Sequence, residues 1–195
     1  MALVAIVGRP NVGKSTLFNR LTRSQQAITH DEPGVTRDRI YGTAEWNGVS
    51  FSVVDTGGYV PHSADIFEQA IREQVEIAIQ EADLILFMVD ASTGITDLDD
   101  ALAQMLRRTE KPVIVVANKA DNDERTWEAQ VFYQLGLPSV YPISALSGRG
   151  TGELLDALVQ QLPRQTRAPI SEERPRLAIV GRPNVGKSSL TNALL

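Results

Sequence analysis

"AIVGRPNVGKS" occupies Ala5–Ser15 and recurs, letter for letter, at Ala178–Ser188. Within the first copy, Gly8-Arg9-Pro10-Asn11-Val12-Gly13-Lys14-Ser15 fits the spacing G-x-x-x-x-G-K-[ST]. It follows an apolar run, Leu3–Val7, that reads as a buried strand, and precedes a helix expected to start near Lys14. A turn in that setting wraps a diphosphate with inward-pointing backbone N–H groups, and Gly8 and Gly13 permit the dihedrals and the close approach this needs. The helix N-terminus adds partial positive charge. Lys14 is then placed to bridge β- and γ-phosphate oxygens and to act in the chemistry, and the Ser15 hydroxyl to ligate Mg²⁺. The expectation is a nucleotide-phosphate loop running from Gly8 to Thr16.

Outward from that loop, apolar runs alternate with amphipathic segments. Phe51–Val54, Leu84–Val89, Val113–Ala117 and Val140–Ile143 read as further buried strands. Helical spacing appears in three places: Phe67, Ala70, Ile71, Val75 and Ala78; Leu98, Leu102 and Met105; and Leu154, Leu155, Leu158 and Leu162. Asn47–Gly48, between two plausible strands, is a strong hairpin signal. The fold expected is α/β: the three-layer sandwich of the P-loop NTPases, with a mostly parallel sheet and one antiparallel edge strand.

After Leu162 the texture changes to "PRQTRAPISEERPR", which is proline-rich, charged and without an apolar period. The division expected is a first domain at 1–163, an acidic, proline-rich linker at 164–176, and the truncated start of a second, similar domain at 177–195. The spacing of the two copies suits a duplicated domain and is too long for a solenoid repeat.

Composition narrows the class. Hydrophobic residues are 43% and charged residues 22%, values of an ordinary soluble globular chain. The formal net charge of −5 argues against a broad basic nucleic-acid surface. The absence of cysteine rules out disulfides, thiolate metal sites and a Cys nucleophile, and fits a reducing compartment. No apolar run is long enough to span a bilayer, and no charged segment precedes the first strand. A cytoplasmic protein without a membrane span is expected.

The base would be read by Asn118-Lys119-Ala120-Asp121. A carboxylate at Asp121 can accept from both the N1–H and the exocyclic amine of guanine, whereas adenine would leave it unpaired. Asn118 would tie the loops together, and the Lys119 stem would lie against the base plane. The plainer alternative is a polar loop in which Asp121 caps the next helix. Ser144-Ala145-Leu146 supplies small residues where a backbone N–H could reach guanine O6. Asp55-Thr56-Gly57-Gly58 ends a strand, so Asp55 could hold Mg²⁺ through water and the Gly58 N–H could sense the γ-phosphate. In "EPGVTRDR" the Thr36 hydroxyl could complete the Mg²⁺ shell only when a γ-phosphate is present, which would make the loop a switch with a catalytic role. Asp90 could support the Mg²⁺ region or simply end its strand. His30 and His62 read as surface residues, and Arg37 and Arg39 as solvated loop charges.

With "GRPNVGKS", "PGVTRD", "DTGG" and "NKAD" in this order, and a second "GRPNVGKS" after the linker, the chain resembles the translation-factor class of GTPases. Within that class it is similar to the Der (EngA) family of tandem-GTPase ribosome-assembly factors. The resemblance implies GTP and GDP as ligands, GTP hydrolysis, Mg²⁺, and work on the large ribosomal subunit and its rRNA by a longer protein with a KH-like domain. It also implies that Asn11 helps hold a K⁺ ion that takes the electrostatic place of an arginine finger, giving Asn11 a catalytic role. Tyr59 stands where related switches carry a water-orienting glutamine, which implies slow hydrolysis unless charge stabilisation comes from elsewhere. Lys187 and Ser188 match Lys14 and Ser15, but the second copy lacks base-recognition and Mg²⁺-aspartate segments and is not expected to bind nucleotide usefully. Two readings stay open at this point: a GTPase switch, or a nucleotide-gated interaction module with negligible turnover alone. An ATPase or small-molecule kinase is disfavoured by "NKAD".

Overall fold

The structure of the chain, a computed structural model, describes residues 1–22, 40–56 and 64–163. His30, Thr36, Arg37, Arg39, Gly57, Gly58, Tyr59 and His62, the linker at 164–176 and the second copy at 177–195 lie outside the described residues.

Each apolar run read as a strand forms one. The strands are β1 (Ala2–Val7), β2 (Ile40–Trp46), β3 (Val49–Asp55), β4 (Leu84–Asp90), β5 (Val113–Asn118) and β6 (Val140–Pro142). The helices are α1 (Lys14–Thr22), α2 (Ala64–Glu81), α3 (Asp97–Leu106), α4 (Asp123–Glu128) and α5 (Thr151–Gln161), with a 3-10 helix over Ala129–Leu135. Strands β3, β4 and β5 run one residue beyond their apolar runs, because the polar residue at each end still pairs: Asp55 lies opposite Ile6, and Asp90 opposite Asn118. β6 stops one residue short, at Pro142.

The six strands order as β2-β3-β1-β4-β5-β6. All neighbours are parallel except β2 and β3, which form the expected hairpin. Asn47 and Gly48 at its tip have φ of 51° and 76°, the pair of positive values that a two-residue turn matched to the strand twist requires. The mostly parallel sheet with one antiparallel edge strand is therefore as read from the sequence.

Helices cover both faces, which is why the strands are apolar on both sides. Along β4, Leu84, Leu86 and Met88 join the core beneath α1 and α5, with Leu17, Phe18, Leu154 and Leu158. Ile85, Phe87 and Val89 join the core beneath α2, α3 and the 3-10 helix, with Val75, Leu102 and Phe132. The parallel strands β1, β4 and β5 all end on one edge of the sheet, at Gly8, Asp90 and Asn118, and β3 ends there at Asp55. Open α/β sheets bind their ligands at this edge.

This burial fixes a stability test. Leu86 is fully buried in a central strand, while Trp127 on α4 is 76% exposed. Leu86→Ala should destabilise the fold by about 2–5 kcal/mol, and Trp127→Ala by no more than about 0.5 kcal/mol. Urea denaturation midpoints compare the two directly.

Candidate functional site

The loop after β1 takes its shape from three residues with positive φ: Gly8 (145°), Asn11 (63°) and Gly13 (100°). Asn is one of the few side chains that tolerates this region. The glycines are also required by the protein around them. A Cβ on Gly8 would lie 2.3 Å from the Met88 carbonyl oxygen, and one on Gly13 would lie 2.2 Å from the Asn118 amide nitrogen. The expected close approach is thus, at both glycines, an approach of the loop to β4 and to the end of β5.

Lys14 opens α1 and reaches back over the loop. Its Nζ donates to the carbonyls of Gly8 and Arg9, each at 2.8 Å. That engages two of the three ammonium N–H groups in holding the side chain across the loop. Burial pulls its pKa down from 10.5 to about 8, with Asp55 opposing the shift and Arg9 adding to it. Next to it, the Ser15 hydroxyl donates to Asp55 Oδ2 at 2.7 Å, and Asp55 is itself buried at the end of β3. A hydroxyl and a carboxylate this close are a suitable oxygen pair for Mg²⁺, the hydroxyl as direct ligand and the carboxylate behind it. Among the described residues no group of three or more His, Cys, Asp or Glu side chains could hold a metal. The pair therefore suits a cation that keeps waters and substrate oxygens as its other ligands. Thr56 is turned inward, its Oγ1 donating to the Ile6 carbonyl at 2.8 Å.

At the other end of the cleft, Asn118 closes β5 almost fully buried. Its Nδ2 donates to the Val12 carbonyl at 2.7 Å, and its Oδ1 accepts from the Ala145 N–H at 2.8 Å. One side chain so joins the phosphate loop, the loop after β5 and the loop after β6. Lys119 is held at φ 69°, and its Nζ reaches Asp90 Oδ2 at 2.5 Å. Asp90 also accepts from the Ser92 N–H and hydroxyl. Burial pushes the Asp90 carboxyl up, but the hydrogen bonds from Lys119 and Ser92 outweigh it and hold the pKa below the usual value. Of the two roles read for Asp90, Mg²⁺ support and strand-end or turn aspartate, the second is what the structure shows, with the ion pair to Lys119 in addition.

Asp121 is not a helix cap. That position is taken by Asn122, whose Oδ1 accepts from the Arg125 N–H at 2.8 Å. The Asp121 carboxylate is half exposed, lines the cleft and has Arg125 at 3.7 Å.

Between these ends lies a cleft of about 560 Å³. Of the expected site residues, Gly8, Pro10, Asn11, Gly13, Lys14, Ser15, Thr16, Thr56, Asn118, Lys119, Asp121, Ser144 and Leu146 line it. Arg9, Val12, Asp55 and Ala145 do not. Val12 is in the core, Asp55 stands behind Ser15, and the Ala145 N–H is held by Asn118. Arg9 turns to α3, with Nη2 on Thr93 Oγ1 at 2.5 Å and Nε on Asp99 Oδ2 at 3.3 Å. The sequence reading missed one wall of the cleft, made by Ala70, Ile71, Gln74 and Val75 of α2. Three of these carried a signal, helical apolar spacing, that was read only as core. It also missed Arg20, whose guanidinium holds the loop after β6.

Comparison with known proteins agrees with this geometry. The model of a family described as 50S ribosome-binding GTPase matches residues 3–119 and 176–195. The chain is 61% identical over 193 residues to GTPase Der of Phocaeicola vulgatus, covering 99% of this chain and 44% of that protein. It is 59% identical to GTPase Der of Porphyromonas gingivalis, over 100% of this chain and 45% of the relative. The chain thus spans just under half the length of these relatives. Among solved structures, Era in complex with MgGDPNP and nucleotides 1506–1542 of 16S ribosomal RNA superposes with a TM-score of 0.67 at 34% identity, covering 91% of this chain and 59% of that one. The G domain of the T. maritima FeoB iron transporter gives 0.62 at 29% identity, covering 83% and 98%. The resemblance to Der read from four motifs is carried by the whole sequence, and the chain belongs to the 50S ribosome-binding GTPase family.

Proposed function

We propose that the chain is the GTP-binding switch of a ribosome-assembly factor, hydrolysing GTP to GDP and phosphate. The single observation that carries this is the Asn118 bridge, which sets a phosphate-binding lysine and a base-reading carboxylate at opposite ends of one cleft. On this reading Gly8–Thr16 hold the phosphates and Asp121 accepts from guanine N1–H and the exocyclic amine. Because Asn118 engages the Ala145 N–H, the next one, on Leu146, is the donor for guanine O6. Ser15 and Thr36 would ligate Mg²⁺ with Asp55 behind, and the ion would supply charge neutralisation at the phosphates. Lys14 stabilises the charge that develops on the γ-phosphate as water attacks in line, and Gly58 senses that phosphate.

Asn11, at the mouth of the phosphate loop, is the residue proposed to hold K⁺. Its left-handed backbone gives it a structural reason to be there, so the cation needs its own test. Ribosomal partnership belongs to the longer protein. The family's 50S description supports the large subunit and its rRNA, and Era's complex with 16S RNA supports RNA as a partner class. A cytoplasmic setting is consistent with the lack of cysteine. Among the described residues no helix is long and apolar enough to cross a membrane. The division into a G domain at 1–163, a linker at 164–176 and the start of a second G domain at 177–195 is part of the same proposal. It is supported by the compact unit Met1–Arg164 and by the family match resuming at residue 176.

Three outcomes follow. Asp121→Asn should weaken GDP binding at least about 100-fold by calorimetry, since one carboxylate serves two base donors; an unchanged affinity would remove Asp121 from the base site. Single-turnover hydrolysis should be faster in K⁺ than in Na⁺ at equal ionic strength, and Asn11→Ala should erase the difference; equal rates in both salts would sink the K⁺ assignment. The third concerns Lys14. In the free protein its buried ammonium costs stability below pH about 8. The cost is relieved as pH rises from about 8 toward 10.5, where the unfolded chain still binds the proton and the folded one does not. Phosphates reverse the preference, so GDP binding above pH about 8 should take up a proton and weaken by up to about tenfold per pH unit. Calorimetry in buffers of different ionisation enthalpy reads that proton.

A further inference from the structure

Arg20 belongs to none of the nucleotide motifs. It lies on α1, in the last turn of the helix that Lys14 opens. Its Nε donates to the Ala145 carbonyl at 2.5 Å and its Nη2 to the Leu146 carbonyl at 2.5 Å. The planar fork so spans two consecutive carbonyls of the loop after β6 with two of its nitrogens in fixed geometry. The approach depends on Gly148, whose φ is +93° and where a Cβ would lie 2.7 Å from Arg20 Nη1. The loop is also braced internally, with the Gly148 N–H on the Ser144 carbonyl at 2.7 Å and the Ser147 N–H on Ser144 Oγ at 3.1 Å.

The consequence lies in the peptide plane between Ala145 and Leu146. In a trans peptide the carbonyl and the N–H point in opposite directions. Arg20 holds the Ala145 carbonyl, so the Leu146 N–H of the same peptide points away from the guanidinium, and Leu146 lines the cleft. One residue earlier, Asn118 holds the Ala145 N–H. The loop is therefore gripped on its donor edge by Asn118 and on its acceptor edge by Arg20.

We propose that Arg20 is a positioning residue for the purine O6 contact: it fixes the Ala145–Leu146 peptide and so sets both the rate of nucleotide release and the preference for a carbonyl at the base edge. The inference rests on the guanine-nucleotide reading above. The test uses the full chain and its Arg20→Ala and Arg20→Lys variants. Release of GDP is measured by chase of a fluorescent GDP, together with the affinity ratio of GDP to 6-thio-GDP, in which sulfur replaces O6 as a weaker acceptor, and of GDP to GMP. Arg20→Ala should speed GDP release about tenfold or more, as expected for losing charge-assisted hydrogen bonds. It should also bring the 6-thio-GDP ratio toward one. Arg20→Lys, able to serve one carbonyl, should fall between. The GDP-to-GMP ratio, set around Lys14, should stay at its wild-type value.

Wild-type release with an unchanged 6-thio-GDP ratio in Arg20→Ala would overturn the proposal. So would a parallel fall in both ratios, which would mean that α1 had loosened as a whole. Should Arg20→Ala not fold, the same ratios in Arg20→Lys decide. A wild-type chain that binds no GDP would instead overturn the nucleotide reading, and this inference with it.

Discussion

The hydrogen bonds of Asn118 pass through the space where a side chain on Gly13 would stand. Its amide reaches the Val12 carbonyl at 2.7 Å, and a Cβ on Gly13 would sit 2.2 Å from the same nitrogen. With the Ala145 N–H on its other edge, one buried amide is paired in both directions. A buried polar group satisfied this way fixes geometry, because any displacement of one loop leaves a donor or an acceptor stranded out of water. The phosphate loop and the two base-end loops come from distant parts of the sequence, and this one side chain joins them. The cleft between them has a defined width because this amide has a defined length.

A second support runs beneath the first. The segment from the end of β4 to the start of α3 contributes nothing to the cleft wall, yet it grips both of the loops that do. Asp90 holds Lys119, and the Ala91 N–H donates to the Asn118 carbonyl at 2.8 Å. Thr93 and Asp99 hold Arg9, whose own carbonyl receives Lys14. Asp99 also closes the capping box of α3 with Thr96, so the helix start and the phosphate loop share one buried carboxylate. Among the described residues its Oδ1 has no hydrogen-bond partner, and the contacts they make with the carboxylate fall on Oδ2. The carboxylate is thereby committed to one orientation, the one that serves Arg9.

The fold was legible because both faces of the sheet are buried. Runs such as Leu84–Val89 have no polar residue to interrupt them, and the Asn47–Gly48 pair names its own turn. The end of β5 was harder to read, since Asn118 looks like a loop residue until its pairing with Asp90 is seen. The 3-10 helix escaped notice for a definite reason. Its buried residues, Ala129, Phe132 and Leu135, repeat every three positions, the period of that helix, and a search at 3.6 passes over them. In the site, the residues read for phosphate and base carry motif spacing, and most of them line one cleft. The contacts that hold the motifs could not be read: Arg9 lies inside a motif but meets Asp99, and Arg20, in no motif, meets Ala145, both far away in sequence.

Helix α1 connects these two kinds of residue. It begins with Lys14 and Ser15 at the phosphate end, buries Leu17, Phe18 and Leu21 against the sheet, and carries Arg20 to the base end. Six residues of helix advance about 9 Å, so one packed element carries Lys14 and Arg20 at a set separation. A packed helix does not stretch, because its apolar face is interlocked with the strands below it. Lys14 and the Arg20 grip on the Ala145 and Leu146 carbonyls are thereby carried on one packed element.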